Sequence, residues 1–115
     1  MDKQQFVTAV NAKVVAGSVE GLRQILLQPP GREPHKDLVE ESNWFKSLNE
    51  EDKAMVEKII IRSVEQATFT FLCILDGVSA IEDGPNKGIL KLVYEKDGKQ
   101  VLLNDEDSDY LHDLM

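Results

Sequence analysis

The run from Asn49 to Asp83 constrains the fold more than any other part of the sequence. Asn49 is a good N-cap, and three acids follow it in the first turn, where the helix dipole favours negative charge. The spacing predicts one long helix, and its second half, residues 67–75, is apolar on every face before Asp76-Gly77. Because such a helix must be enclosed, we expect the rest of the chain to pack around it.

The first thirty residues predict two shorter helices. Phe6, Val10 and Val14 recur at helical spacing, and Gly17-Ser18 is typical of a helix stop followed by a new N-cap. The second helix would end at Pro29-Pro30, because proline lacks an amide proton. We therefore expect a small αα-hairpin packed on the long helix.

The remaining segments predict a third helix and a β-hairpin. The helix runs from Pro34 to about Lys46, and strands at Ile89–Glu95 and Lys99–Leu103 are joined by Asp97-Gly98, a strong hairpin signal. A capped helical turn follows in the tail, from Asp107 to Met115. The expected fold is one α+β domain over residues 1–115: a helical N-terminal two thirds around a long central helix, then a β-hairpin and a short C-terminal helix.

Length and composition predict a cytoplasmic protein. A chain of 115 residues is long enough for one modest core. Glu65 and Gln66 interrupt the longest apolar stretch, which is too short for a membrane helix, and the first five residues lack a secretion signal. The single Cys73 cannot form an internal disulfide, and we expect it to be buried and unreactive.

The charge distribution points to a basic protein as partner. The formal net charge is −8, and the last twelve residues hold five acids and no Lys or Arg. This argues against nucleic acid, which rewards clustered basic residues. The candidate protein-binding surface consists of acids near the end of the long helix and in the tail: Glu82, Asp83, Asp105, Glu106, Asp107, Asp109 and Asp113.

Asp76 is the acid with the clearest potential for a perturbed pKa. It follows nine uncharged residues, and a helix that continued to Ile81 would place it near the buried side. Alternatively, Asp76-Gly77 is the helix end, with the carboxylate capping backbone amides, and this interpretation is favoured because no obvious catalytic partner accompanies it. His112, folded back from the tail, is the one partner that an enzyme or ligand-binding protein could use with Asp76.

We predict no catalytic residue, cofactor or metal. The spacing of Asp105, Asp107 and Asp109 is that of half a calcium loop, but Tyr110 stands where the turn needs glycine. Two His and one Cys far apart do not form a zinc signature, and the glycines are too scattered for a phosphate loop.

Five short segments resemble a group of small bacterial proteins of unknown function. They are Trp44-Phe45, Leu48–Asp52, Phe71–Gly77, Leu103–Asp107 and Tyr110–Leu114, and the resemblance covers about the last two thirds of the chain. The group has no assigned activity, so the resemblance implies no reaction. The size and acidity also resemble those of immunity proteins, which neutralise toxins encoded beside them.

The sequence therefore favours a non-catalytic protein-binding domain whose acidic surface meets a basic patch, and an immunity-type protein is one form of this hypothesis. One alternative is a small enzyme or ligand-binding protein that uses Asp76 with His112. Another is a homodimer joined through the hairpin edge or the apolar helix, because a lone two-stranded hairpin is only marginally stable.

Overall fold

The structure, a computed structural model, describes residues 1–115 and confirms the α+β architecture. Helices occupy the N-terminal two thirds, and an antiparallel hairpin and a short 3-10 helix follow. The elements are α1 (Lys3–Val10), a π-helical segment (Asn11–Ala16), α2 (Gly17–Leu27), α3 (Lys36–Ser47), α4 (Glu50–Leu75), β1 (Val93–Lys96), β2 (Lys99–Leu102) and the 3-10 helix (Leu111–Leu114).

The first 27 residues do not form the predicted αα-hairpin. A helix stop needs a left-handed glycine, whereas Gly17 has φ −63° and ψ −42°, so α1, the π-helical segment and α2 run on without a break. The wider π-helical turn also rotates the residues after Asn11 relative to those of α1. Val7 is fully buried instead of Val14, which stays exposed.

The central helix α4 begins as predicted but ends earlier. The Asn49 side chain accepts a hydrogen bond from the Asp52 amide at 2.8 Å, which caps the first turn. The helix stops at Leu75, and Gly77 follows with φ +76°. A continuation to Ile81 is therefore wrong, because glycine readily takes the left-handed conformation that terminates a helix.

The hairpin has the predicted turn and a shorter first strand. Asp97 and Gly98 both have positive φ, as a type I′ turn requires, and Tyr94 pairs with Val101. Strand β1 starts only at Val93. Just before β1, the Leu92 amide donates to the Asn104 side chain and not to the facing segment. Only the Leu92 carbonyl bonds that segment, where it accepts from the Leu103 amide.

The core lies where the two ends of the chain meet the C-terminal half of α4. Val7, Leu72 and Leu111 form its fully buried centre. The apolar run of α4 is not enclosed as expected, since Phe71 is 59 % exposed and Phe69 is also exposed. The helix therefore packs along one side only and leaves apolar side chains uncovered.

The molecule is more open than a compact protein of this length. Its radius of gyration is 18.5 Å, whereas a compact chain of this size has about 13 Å. Its accessible surface is 8548 Å², against about 6,300 Å² expected for this mass. None of its helices combines the length and apolarity needed to cross a membrane.

Candidate functional site

Asp76 lies directly after α4 and is almost completely buried, with its side chain 1 % exposed. Its carboxylate accepts hydrogen bonds from the backbone amides of Leu111 and His112, both at 2.9 Å. These amides open the C-terminal 3-10 helix and have no partner within it. Asp76 thus caps backbone amides, as the favoured interpretation expects, but they belong to a segment 35 residues further along the chain.

His112 is folded back onto the same carboxylate. Its Nδ1 lies 2.7 Å from Oδ2 of Asp76, a hydrogen-bonding distance. When the carboxylate is ionised it can only accept, so the imidazole is then the donor. The ring stacks on Tyr110 at 5.3 Å and meets the edge of Phe69 at 5.4 Å. Its Nε2 faces the exposed carboxylate of Asp113 at 3.4 Å. The imidazole is therefore fixed in position and orientation.

His112 also lines an open cavity of about 610 Å³, a volume within the usual range of small-molecule sites. Asn11 and Val15 reach the cavity from the π-helical segment, and such segments are frequent at functional sites. Arg62 adds a cation on the α4 side. The wall combines polar side chains with a few apolar ones, which is compatible with a small polar ligand.

The Asp76–His112 contact has the geometry of a histidine oriented by a carboxylate, the arrangement of a general base. No serine, threonine or cysteine side chain is hydrogen-bonded to the His112 imidazole. Cys73 lies one turn earlier on α4 and is buried. Burial, and then the negative charges of Asp76 and Asp113, raise the pKa of its thiol above the usual value, so the thiolate is disfavoured.

The acidic tail is held in place by Lys3. Its Nζ lies 2.9 Å from Oδ1 of Asp105 and donates to the backbone carbonyls of Asp105 and Asp109 at 2.9 and 2.8 Å. The hydrogen bond from Lys3 lowers the pKa of the Asp105 carboxyl below its usual value, and the charge of Lys3 and a bond from Ser108 add to this. Lys3 therefore fixes the backbone of residues 105–109.

The other acids of the candidate surface differ in their surroundings. Glu82 accepts a hydrogen bond from the Gly88 amide at 2.9 Å and closes its own loop. Asp113 faces His112, as described above. The remaining members are exposed and form no ion pair within the chain: Asp83, Glu106, Asp107 and Asp109.

Asn104 is a buried polar residue that no sequence pattern points to. Its side-chain amide donates to the carbonyls of Leu75 and Leu90 at 2.6 and 2.8 Å, and its oxygen accepts from the Leu92 amide at 2.8 Å. The end of α4, the chain before β1 and the tail are thereby joined by one side chain. An asparagine after a predicted strand resembles an ordinary turn residue, so its pattern gives no signal of this role.

The pKa of Asp105 predicts a specific acid dependence. A carboxyl whose pKa is lowered in the folded state stabilises the fold above its unfolded pKa of about 4. That contribution is lost as the pH falls through the lowered pKa of Asp105. The melting temperature of Asp105→Asn should therefore be lower than that of the wild type at pH 7. The two melting temperatures should converge in strong acid.

Asp107→Asn is the matched control for this melt series, because Asp107 has no ion pair. It should follow the wild type at every pH. A constant difference between wild type and Asp105→Asn from neutral to acid pH would show that Lys3 does not act through the ionised carboxylate.

Comparisons with known proteins give no relative. No protein-family model, curated protein or solved structure matches the chain. The site must therefore be interpreted from its own geometry.

Proposed function

We propose that this chain is a non-catalytic protein-binding domain that recognises a basic patch on its partner through its acidic C-terminal region. One observation carries the proposal. Lys3 fixes the backbone around Asp105 and Asp109, while the carboxylates of Glu106, Asp107 and Asp109 remain exposed and without an intramolecular cation. A binding surface that is ordered before it meets its partner loses less conformational entropy on association.

The charge of the chain supports this use of its C-terminal part. Residues 76–115 contain ten Asp and Glu against four Lys, a net −6, whereas residues 1–75 contain eleven acids against nine bases, a net −2. Negative charge concentrated in one region of a protein raises its association rate with a positively charged partner and favours one orientation of the two proteins. Asp83 and Glu82, which lie in the connector after α4, add to the charge of this region.

An immunity-type role is one form of this proposal. A toxin with a basic surface is a partner of the required chemistry, and the product of a gene adjacent to this one is the first to test. The proposal supposes inhibition by occupation of the partner's surface, without a reaction catalysed by this chain.

The test is the salt dependence of binding to that adjacent product, measured by surface plasmon resonance between low and high salt. Replacement of three exposed acids, Glu106→Gln, Asp107→Asn and Asp109→Asn, should lower the association rate about tenfold or more at low salt. Because salt screens the same charges, the wild type should approach the variant as salt is added.

The control variant carries the same change of three charges elsewhere: Glu33→Gln, Glu40→Gln and Glu51→Gln. These acids are exposed and form no ion pair. It should bind like the wild type. An equal decrease of the association rate in both triple variants would mean that only the net charge of the chain matters. Binding that does not depend on salt would contradict the proposal.

A second candidate function is binding of a small polar ligand in the cavity beside His112, with Asp76 orienting the imidazole. The 2.7 Å Asp76–His112 contact at the wall of a cavity of about 610 Å³ favours it. Screening a polar-metabolite library by NMR tests it. Ligands that shift the resonances of His112 and Arg62 in the wild type but not in His112→Gln would support this function; a library with no such ligand would count against it.

A further inference from the structure

The helical end of the molecule contains an apolar groove that nothing in the chain covers. It has a volume of about 310 Å³ and lies between α2, α3 and α4. Helix α3 makes its main contact with α2, which leaves the space towards α4 open. Seven of the eight lining residues are hydrophobic, among them Leu22, Ile25, Leu38, Trp44, Val56 and Ile60.

The rim of this groove carries large apolar side chains in contact with solvent. Trp44 is 55 % exposed, although its neighbour Phe45 is buried. Met55 and Ile59 do not line the groove, but both are about half exposed. Each lies about 100° around α4 from the groove residue that follows it, Val56 or Ile60. Exposed aromatic and aliphatic side chains around an apolar groove are typical of a protein interface.

The structure assigns this groove to a second copy of the chain: we propose a homodimer in which the α2–α3–α4 grooves of two copies face each other. The proposal goes beyond the acidic surface, since it concerns a different face and a different partner. A two-fold dimer uses the same patch on both copies, so the Trp44 and Ile59 side chains of each copy would cover the groove of the other.

The chain as a whole exposes enough surface for such a dimer. The accessible surface of 8548 Å² exceeds that of a compact protein of this mass by about 2,200 Å². If each copy buried half of this excess, the interface would be about 2,200 Å² in total, which lies within the range of obligate homodimers. A heterologous partner is the other possible occupant of the groove, and the mass of the wild type in solution distinguishes it from a second copy.

The charge distribution permits self-association at this end. The first 75 residues carry a net charge of only −2, and one charged residue, Glu41, lines the groove. The net −6 of residues 76–115 belongs to the other part of the sequence. Asp37 and Glu40 lie beside Trp44, so two copies that meet through the helical end bring some acids together. Contact through the last twelve residues, with five acids and no Lys or Arg, would be more repulsive.

Sedimentation equilibrium over about 1 to 200 μM protein tests the proposal. The wild type should have twice the mass of the 12.9 kDa chain. Trp44→Glu and Ile59→Glu should each raise the dissociation constant about a hundredfold or more, because they place a charge in the apolar interface. Both positions are solvent-exposed in the single chain, so helicity measured by circular dichroism should be unchanged.

Ile89→Glu is the matched control. Ile89 is 78 % exposed and lies outside the groove, so this variant should dimerise like the wild type. Trp44 is the only tryptophan, and its emission should shift to shorter wavelength as the wild type associates.

Three results would overturn the proposal. A wild type that is monomeric throughout would exclude the second copy as occupant. A dimer that persists in both groove variants would place the interface elsewhere, and so would an Ile89→Glu protein that is monomeric while the groove variants are not. None of these results depends on the acidic surface, so the proposed function is tested separately.

Discussion

Asp76→Ala should lower the free energy of unfolding by about 3 to 5 kcal/mol. The substitution removes the acceptor of two backbone amides, those of Leu111 and His112, and of the His112 imidazole. The Leu111 amide is buried, so it would lose its hydrogen bond without gaining one to water. The 3-10 helix should detach from the end of α4. Urea denaturation at neutral pH measures the change.

Two further variants resolve the cause of this effect. Asp76→Asn keeps one acceptor oxygen, so it should lose less stability than Asp76→Ala. Asp83→Ala removes an exposed acid and should change the free energy of unfolding by less than about 0.5 kcal/mol. If Asp76→Ala were as stable as Asp83→Ala, the Asp76 carboxylate would not hold the tail.

Asn104→Asp should lower the free energy of unfolding by about 3 kcal/mol, although the two side chains have the same shape. The asparagine NH₂ donates to the carbonyls of Leu75 and Leu90. An ionised carboxylate has no donor, so the new oxygen would face two carbonyl oxygens in a buried position. The hydrogen bond from the Leu92 amide would remain. The free energy of unfolding, again from urea denaturation, gives the cost.

Asn49→Asp is the matched control for this substitution. It makes the same atomic change at the N-cap of α4, where the side chain only accepts a hydrogen bond. Aspartate caps as well as asparagine, so stability should be nearly unchanged. Equal effects at the two positions would contradict the donor role of Asn104.

The parts of the fold that depend on local sequence could be predicted. Asn49 and the acids after it specify the start of α4, and Asp97-Gly98 specify the hairpin turn. Each of these signals acts within a few residues. The helix end predicted at Gly17-Ser18 is wrong. A glycine of this kind ends a helix when its backbone adopts the left-handed conformation, and the local sequence does not specify whether it does.

The site depends on contacts between distant residues, and the sequence supplied only some of them. Asp76 can be recognised as a candidate because it follows a run of uncharged residues. His112 is the partner that the sequence offers for it if the protein is an enzyme or binds a ligand. Neither the capping of Leu111 nor the role of Asn104 could be derived, since each joins segments 12 or more residues apart. The extent to which α4 is covered is likewise a property of the whole chain.

Amide hydrogen exchange tests most directly whether the exposed acids of residues 104–109 bind a protein. Exchange should be compared between the free chain and its complex with the adjacent gene product. We expect slower exchange in residues 104–109 on binding, and little change in α2 and α3. Protection confined to the His112 cavity or to the helical end, with exchange in residues 104–109 unaltered, would contradict the proposed function.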